Sequence, residues 1–357
     1  MSFRAYTGVL TRRIPRSQVV AVKPNLYRLT IAKLKSPLFW IGLLTSLACV
    51  FLSIHNLDWQ RLFALWRHID YRWVALAAIM ITTHTIVRAA RWRALFPSPR
   101  PPFEVTLTAM LIGQTMNYLL PARSGDIPRI YWLGERGGQS KARTLGTMAV
   151  EKVLDLALLV LVLFLVPLWA PARPPWLAKA TWGVAIGLLL LYVGLRAILA
   201  WQTALADRLG RLADRYNARW WPALREQLAR VAEGIETLRR SHLLGWGLAL
   251  SLLAWIGGAA ANLATLRALG LPASWPMALA VSAALRVGIS LPSLPASVGV
   301  YEGTVVLALS VFGIDRETAL SYGVLMHLVD FMPPVAMALW LVWRGQSKAR
   351  LADEAHQ

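Results

Sequence analysis

The residues with chemical potential in this sequence stand inside or beside long apolar runs. The densest group is Asn117, Pro121, Arg123, Gly125, Asp126 and Arg129. Pro121 ends an incoming helix, Gly125 permits a tight turn, and Pro128 suits the first turn of the next helix. The turn leaves backbone N–H groups free, and Arg123 and Arg129 add fixed positive charge. An arginine grips a phosphate or carboxylate through two parallel hydrogen bonds, so the predicted chemistry is anion binding, with a phospholipid headgroup the obvious candidate; the other reading is a cytoplasmic re-entrant loop whose arginines pair with Asp126 and surface lipid. Glu151 and Asp155 follow, four residues apart on one helix face; Arg123, Arg129 or Lys152 is the expected partner, in a structural ion pair, with a cation contact and a proton carrier as the other roles. A second group holds Arg286, Pro295, Gly299, Glu302, His327 and Asp330. His327 and Asp330 are three apart on one face, and with Glu302 they suggest either a simple His–Asp hydrogen bond or a proton relay. Arg88 sits deep in an apolar stretch beside His84, whereas Arg91 is expected to snorkel to the surface.

The elements that must position these residues are membrane helices. Of 357 residues 57% are hydrophobic and only 16% charged, against about 25% charged in ordinary soluble domains. Stretches 37–54, 73–91, 145–169, 182–200, 243–266 and 318–343 each approach or exceed the roughly 20 apolar residues that a spanning helix takes. Stretches 105–120 and 276–294 are shorter or broken. The net charge of +20 would suggest nucleic acid in a soluble protein. Here the basic residues sit between apolar runs, which predicts topology and lipid contact instead, and no nucleic-acid partner.

The basic residues set an orientation. Segment 1–36 carries eight Lys and Arg and no acid, so it is expected in the cytoplasm. The same holds for the linker 201–241 and the tail 345–357, which places both termini inside a bacterial cytoplasmic membrane. Trp40, Trp73, Trp92, Trp169, Trp201, Trp246, Trp275 and Trp343 fall near predicted span ends, where an amphipathic ring suits the headgroup layer. In the linker, Leu205, Leu209, Leu212 and Tyr216 form one helical stripe, and Leu224, Leu228, Val231, Ile235 and Leu238 another. They predict two amphipathic helices, either on the inner membrane surface or packed on the protein.

The membrane domain, 37–344, contains an internal repeat. Arg93-Ala94-Leu95 recurs as Arg267-Ala268-Leu269, Pro121, Ala122 and Gly125 recur as Pro295, Ala296 and Gly299, and Asp155 recurs as Asp330, all at an offset of 174–175. The units cover about 73–170 and 243–344. The charge-based topology makes them antiparallel, and inverted repeats flanking discontinuous helices are the architecture of secondary transporters. The fold predicted is therefore an all-α polytopic membrane protein with two inverted repeats, each holding a broken, re-entrant helical hairpin, and about six full spans. Irregular backbone at membrane depth is tolerated where it lines a wet cavity, so the hairpins mark the site.

At these residues the sequence resembles the lysylphosphatidylglycerol synthase transmembrane (flippase-like) family. The pattern is Asn117, Pro121, Arg123, Gly125, Asp126 and Arg129, then Glu151-Lys152 and Asp155, then Pro295, Gly299 and Glu302. The resemblance runs from about the first span to the last. It implies a membrane domain associated with moving aminoacylated or other lipids between leaflets. Some members carry a fused cytosolic synthase, expected to be absent here because the chain ends soon after its last span. Two positions depart from the family pattern: Asp126 where Glu is common, and Ala296-Ser297-Val298 where a glycine-rich turn is frequent.

No Walker A, G-x-S-x-G, H-E-x-x-H or Cys/His cluster occurs. The expectation is no enzyme, no catalytic residue, no metal and no cofactor. The leading functional expectation is a lipid flippase or transporter whose partners are anionic or aminoacylated phospholipid headgroups, working alongside a separate lipid-modifying enzyme. The alternatives are a secondary transporter of a small anion and a subunit of a membrane-embedded lipid-modifying enzyme.

Overall fold

The computed structural model describes residues 44–51, 58–119, 125–169, 175–215, 221–236, 241–290, 293 and 295–354. Pro121, Arg123, Trp40, the segment 1–36 and most of the first span lie outside them. Residues 44–51 are helical, and eleven helices follow: α1 (Trp59–Arg67), α2 (Tyr71–Ala94), α3 (Phe103–Leu119), α4 (Asp126–Arg136), α5 (Lys141–Trp169), α6 (Pro175–Arg215), α7 (Trp221–Ile235), α8 (Ser241–Ala268), α9 (Trp275–Gly288), α10 (Val300–Ser310) and α11 (Arg316–Glu354). There is no strand among the described residues. Four of these helices, α2, α6, α8 and α11, are long and apolar enough to cross a membrane by length and composition. The 29-residue α5 carries its charges in its first half and is apolar from Leu156 to Val166.

The four short helices make the hairpins. Both α4 and α10 have 11 residues, about 16 Å of helix. With 17 and 14 residues, α3 and α9 reach about 26 and 21 Å. None spans a hydrocarbon core of about 30 Å, so α3–α4 and α9–α10 each turn back part-way.

The repeat is visible element by element. Asp126 and Val300 open equivalent helices 174 positions apart, and Arg136 and Ser310 close them at the same offset. Packing obeys the same exchange: α3 packs on α11 as α5 packs on α9. The central pair, α2 and α8, runs antiparallel. The Asp70 N–H bonds to the Ala268 carbonyl at the start of α2, His84 lies against Gly257 and Gly258 at the middle, and Arg91 meets Ser251 near the far end. The halves are therefore inverted. His84 and Gly258 are equivalent positions, 174 apart, and they touch. A residue meets its own counterpart only on a two-fold axis, so the pseudo-axis passes here.

Two helices, α6 and α7, lie between the repeats. The predicted span 182–200 continues unbroken to Arg215 in the 41-residue α6, about 60 Å long. Leu205, Leu209 and Leu212 of the predicted first linker helix lie on this same helix, and Tyr216 lies outside the described residues. Ile186, Leu189, Leu190 and Val193 on α6 are exposed, as lipid-facing residues should be. The second linker helix, α7, packs against α5 rather than lying free. A Cβ on Gly234 would stand 2.4 Å from the Arg143 carbonyl, and one on Gly146 would stand 2.3 Å from that of Val231. Only glycines permit this approach of backbone to backbone. Arg143 Nη2 also pairs with Glu233 at 2.5 Å. The predicted stripe is consequently split: Ile235 is buried, and Leu224 and Leu228 stay exposed.

Trp169, Trp246, Trp275 and Trp343 are exposed, in keeping with headgroup contact. Trp92 is a correction: it is completely buried, because its ring carries the Arg129 guanidinium on its face at 3.6 Å and its Nε1 donates to Thr147 Oγ1 at 3.2 Å.

Candidate functional site

A cavity of about 500 Å³ opens between the two repeats, bounded by α2, α3, α4, α5, α8, α9, α10, α11 and the turn at Pro295–Ser297. One wall is an ion-pair network that ties four helices together. Glu151 on α5 accepts from Arg91 Nη2 at 2.8 Å through Oε1 and from Arg129 Nη2 at 2.6 Å through Oε2. Arg91 Nη1 also binds Asp155 Oδ1 at 2.5 Å and Ser251 Oγ at 3.0 Å. Arg91, Arg129 and Glu151 are all buried. Two arginines and two carboxylates cancel, which is how charge survives at membrane depth.

Arg91 therefore corrects the expectation of surface snorkelling. Its partners are on α5 and α8, so its side chain turns into the bundle. Lys152 corrects the pairing expected for Glu151 and Asp155: it faces Asp126 instead, at 3.9 Å. The repeat itself contains a signal for the Arg91–Glu151 pair. Their equivalents at offsets of 174 and 175 are Thr265 and Met326, which also touch, Oγ1 to Sδ at 3.2 Å. The two charges are replaced together by two neutral groups.

Arg88, Arg286 and Asp330 have no such pairing. All three line the cavity. Arg88 makes no hydrogen bond or ion pair among the described residues. Arg286 donates to the Ser282 carbonyl at 3.0 Å and lies over the Trp255 ring at 3.8 Å, and no carboxylate is within ion-pair reach of it among the described residues. Asp330 accepts from the Tyr301 hydroxyl at 2.6 Å. Its backbone carbonyl accepts from the Tyr118 hydroxyl at 3.0 Å, for a reason readable in the sequence. Pro334 stands four residues on, inside α11, and has no N–H to complete the helical bond. Tyr118 fills that place and so docks α3 on α11.

The first hairpin turn also departs from expectation. Gly125 has φ −64° and ψ −14°, ordinary helical backbone, so conformational freedom is not its purpose. A Cβ there would meet the Gly113 carbonyl at 2.0 Å; the glycine lets the turn press against α3. Asn117 closes the same turn, its Oδ1 accepting from the Gly125 N–H at 2.8 Å. Asp126 lies 3.9 Å from Arg129.

In the second hairpin Gly299 has φ 82°, and the preceding Ala296 and Ser297 have φ 59° and 57°. These left-handed positions favour glycine, so Ala296 and Ser297 are held there under strain. Glu302 caps α10 through the Gly299 N–H at 2.7 Å and accepts from His327 Nδ1 at 2.7 Å. Neither Glu302 nor His327 lines the cavity. The expected His327–Asp330 bond is absent among the described residues, because Glu302 claims the imidazole and Tyr301 the aspartate. Tyr301 and the His327 ring stack at 4.3 Å. Sequence reasoning missed Tyr118, Tyr301 and Trp255. No cluster of His, Cys, Asp or Glu suited to a metal occurs among the described residues.

The family model for the lysylphosphatidylglycerol synthase TM region matches residues 39–338. No curated protein and no solved structure matches the chain. The chain belongs to the lysylphosphatidylglycerol synthase transmembrane family and is a multi-pass membrane protein.

Proposed function

We propose that this member of the lysylphosphatidylglycerol synthase transmembrane family is a lipid flippase. It takes the phosphate of a phospholipid headgroup, anionic or aminoacylated, into the cavity between its inverted repeats. The observation that carries this reading is the pair Arg88 and Arg286. Each is a guanidinium at membrane depth facing a cavity, and neither has a carboxylate within 4 Å among the described residues. A cation held at membrane depth is costly without an anion, and a phosphate supplies that anion with the bidentate geometry arginine favours. Asp155 and the Arg91–Glu151–Arg129 network form the rigid wall behind them, while Asp330 and Lys152 offer a carboxylate and an ammonium to the rest of a headgroup. Inverted repeats around a central axis at His84 support alternating access.

In this reading the protein acts as a transporter rather than an enzyme and needs no cofactor. A separate lipid-modifying enzyme supplies its lipid. The Lys and Arg distribution supports a bacterial cytoplasmic membrane with both termini inside.

The test is lipid exchange in liposomes containing the full chain and a trace of fluorescent phosphatidylglycerol, phosphatidylethanolamine or lysyl-phosphatidylglycerol. Outer-leaflet lipid is read with an impermeant quencher. Wild type should equilibrate at least one of these faster than empty liposomes. Arg88→Gln and Arg286→Gln should each slow exchange by about tenfold or more, the worth of one charged hydrogen bond. Wild type indistinguishable from empty liposomes on all three lipids would refute the reading.

A further inference from the structure

A second void, of about 210 Å³, lies between α5, α6, α9 and α10. Its lining is apolar, with Leu163, Leu177, Ala280, Ala284 and Leu307 among its walls. The single hydroxyl, on Thr304, is already spent on the Val300 carbonyl at 2.6 Å. Leu307 stands exposed at the rim, on a surface that the bilayer covers. We propose that this groove holds an acyl chain of the same phospholipid whose headgroup enters the polar cavity. The proposal rests on the headgroup reading given above and goes beyond it by assigning a separate site to the tail.

Adjacency supports the assignment. The last turn of α9 is the partition between the two voids. Arg286, Ile289 and Ser290 face the polar cavity, while Val287 and Gly288, the residues between them, face the groove. A polar chamber and an apolar one, separated by one helical turn, match an amphiphile and not a soluble anion. A soluble anion would leave the groove without purpose. Close packing explains why the partition is thin. A Cβ on Gly288 would stand 2.1 Å from Thr304 Oγ1, so only glycine lets α10 approach α9 here. Size agrees as well. An apolar cavity of about 150 Å³ accepts benzene, so by that ratio this groove takes a chain segment of about eight carbons.

The experiment measures equilibrium binding to the purified full chain by native mass spectrometry. The probes are dioctanoyl-phosphatidylglycerol, its deacylated glycerophosphodiester, and octanoate. Ala284→Leu on α9 and Ala180→Leu on α6 fill the groove from two independent helices, so either one reads it if the other fails to fold. Each adds roughly three carbons, and each methylene excluded is worth about fourfold in affinity. The expected result is a loss of about 10- to 60-fold for the dioctanoyl lipid with unchanged binding of the glycerophosphodiester. Arg88→Gln should weaken both.

Equal dioctanoyl affinity in wild type and both filled variants would overturn the proposal. So would parallel loss of both probes, which makes the groove mere packing. A change of oligomeric mass would assign the groove to a second copy, and octanoate binding as tightly as the phospholipid would assign it to free fatty acid; each sinks the proposal. Failure of the headgroup reading looks different: no glycerophosphodiester binding and no effect of Arg88→Gln, with the groove variants still weakening the dioctanoyl lipid.

Discussion

Glu151→Gln isolates the weakest point of the charged wall. The carboxylate accepts from Arg91 at 2.8 Å and Arg129 at 2.6 Å, and the three side chains expose 5% or less of their surface. Glutamine keeps one acceptor oxygen but turns an NH2 toward the other guanidinium, donor against donor. Asp155 then reaches only Arg91, and Arg129 keeps only the longer contact to Asp126, at 3.9 Å. Removing one partner from a buried pair costs about 3–5 kcal/mol. Asp155→Asn is the internal comparison. Asp155 is 29% exposed and its loss leaves Arg91 bonded to Glu151 and Ser251, so about 1–2 kcal/mol is expected. Unfolding in mixed micelles, titrated with a denaturing detergent and followed by circular dichroism, should give a midpoint shift for Glu151→Gln at least twice that of Asp155→Asn. Adding Arg129→Met to Glu151→Gln removes the more weakly paired charge and should restore part of the loss, a coupling of about 1–3 kcal/mol. Equal midpoints for the two single variants, or strict additivity in the double, would refute the network as a stability element.

Two further predictions concern backbone. Ala296→Gly and Ser297→Gly relieve left-handed strain of about 1–2 kcal/mol against an unfolded-state entropy loss of about 0.4–1 kcal/mol. Each should therefore raise stability by about 0.5–1 kcal/mol in the same titration, and lower stability in both would contradict the turn geometry. Gly234→Leu cannot be accommodated against the Arg143 carbonyl; it should detach α7 from α5 and speed tryptic cleavage at Arg225 and Arg230 by at least several-fold, while unchanged cleavage would show the helices are not held by this contact.

The broad architecture was legible because membrane constraints write themselves into sequence. Apolar run length marks the spans, and the 174-residue offset marks the repeat, down to the bounds of α4 and α10. The site was legible by type more than by pairing. Arg88, Arg286, Asp155 and Asp330 face the cavity as polar residues in apolar helices should. Arg91 was misplaced because snorkelling and inward pairing look alike within one helix; the discriminating fact, Glu151 across the bundle, is tertiary. Gly125 was assigned to the wrong cause, since a glycine demanded by φ and one demanded by a neighbour's backbone are the same letter. His327 and Asp330 share spacing but not partners, because Glu302 and Tyr301 arrive from another helix. Tyr118 could have been inferred from Pro334, which leaves a carbonyl open, yet nothing local says which hydroxyl closes it.

The long α6 belongs to neither repeat, and its place follows from parity. With the apolar second half of α5 counted as a crossing beside α2, α8 and α11, each unit crosses the membrane twice, and its hairpin adds no net crossing. Two such units joined directly would sit in the same orientation. The antiparallel run of α2 against α8 therefore requires an odd number of crossings between them, and α6 is that one crossing. A shortened chain lacking 177–200 should insert its second half upside down, with Arg286 and Asp330 carried away from Arg88, however well each half folds by itself.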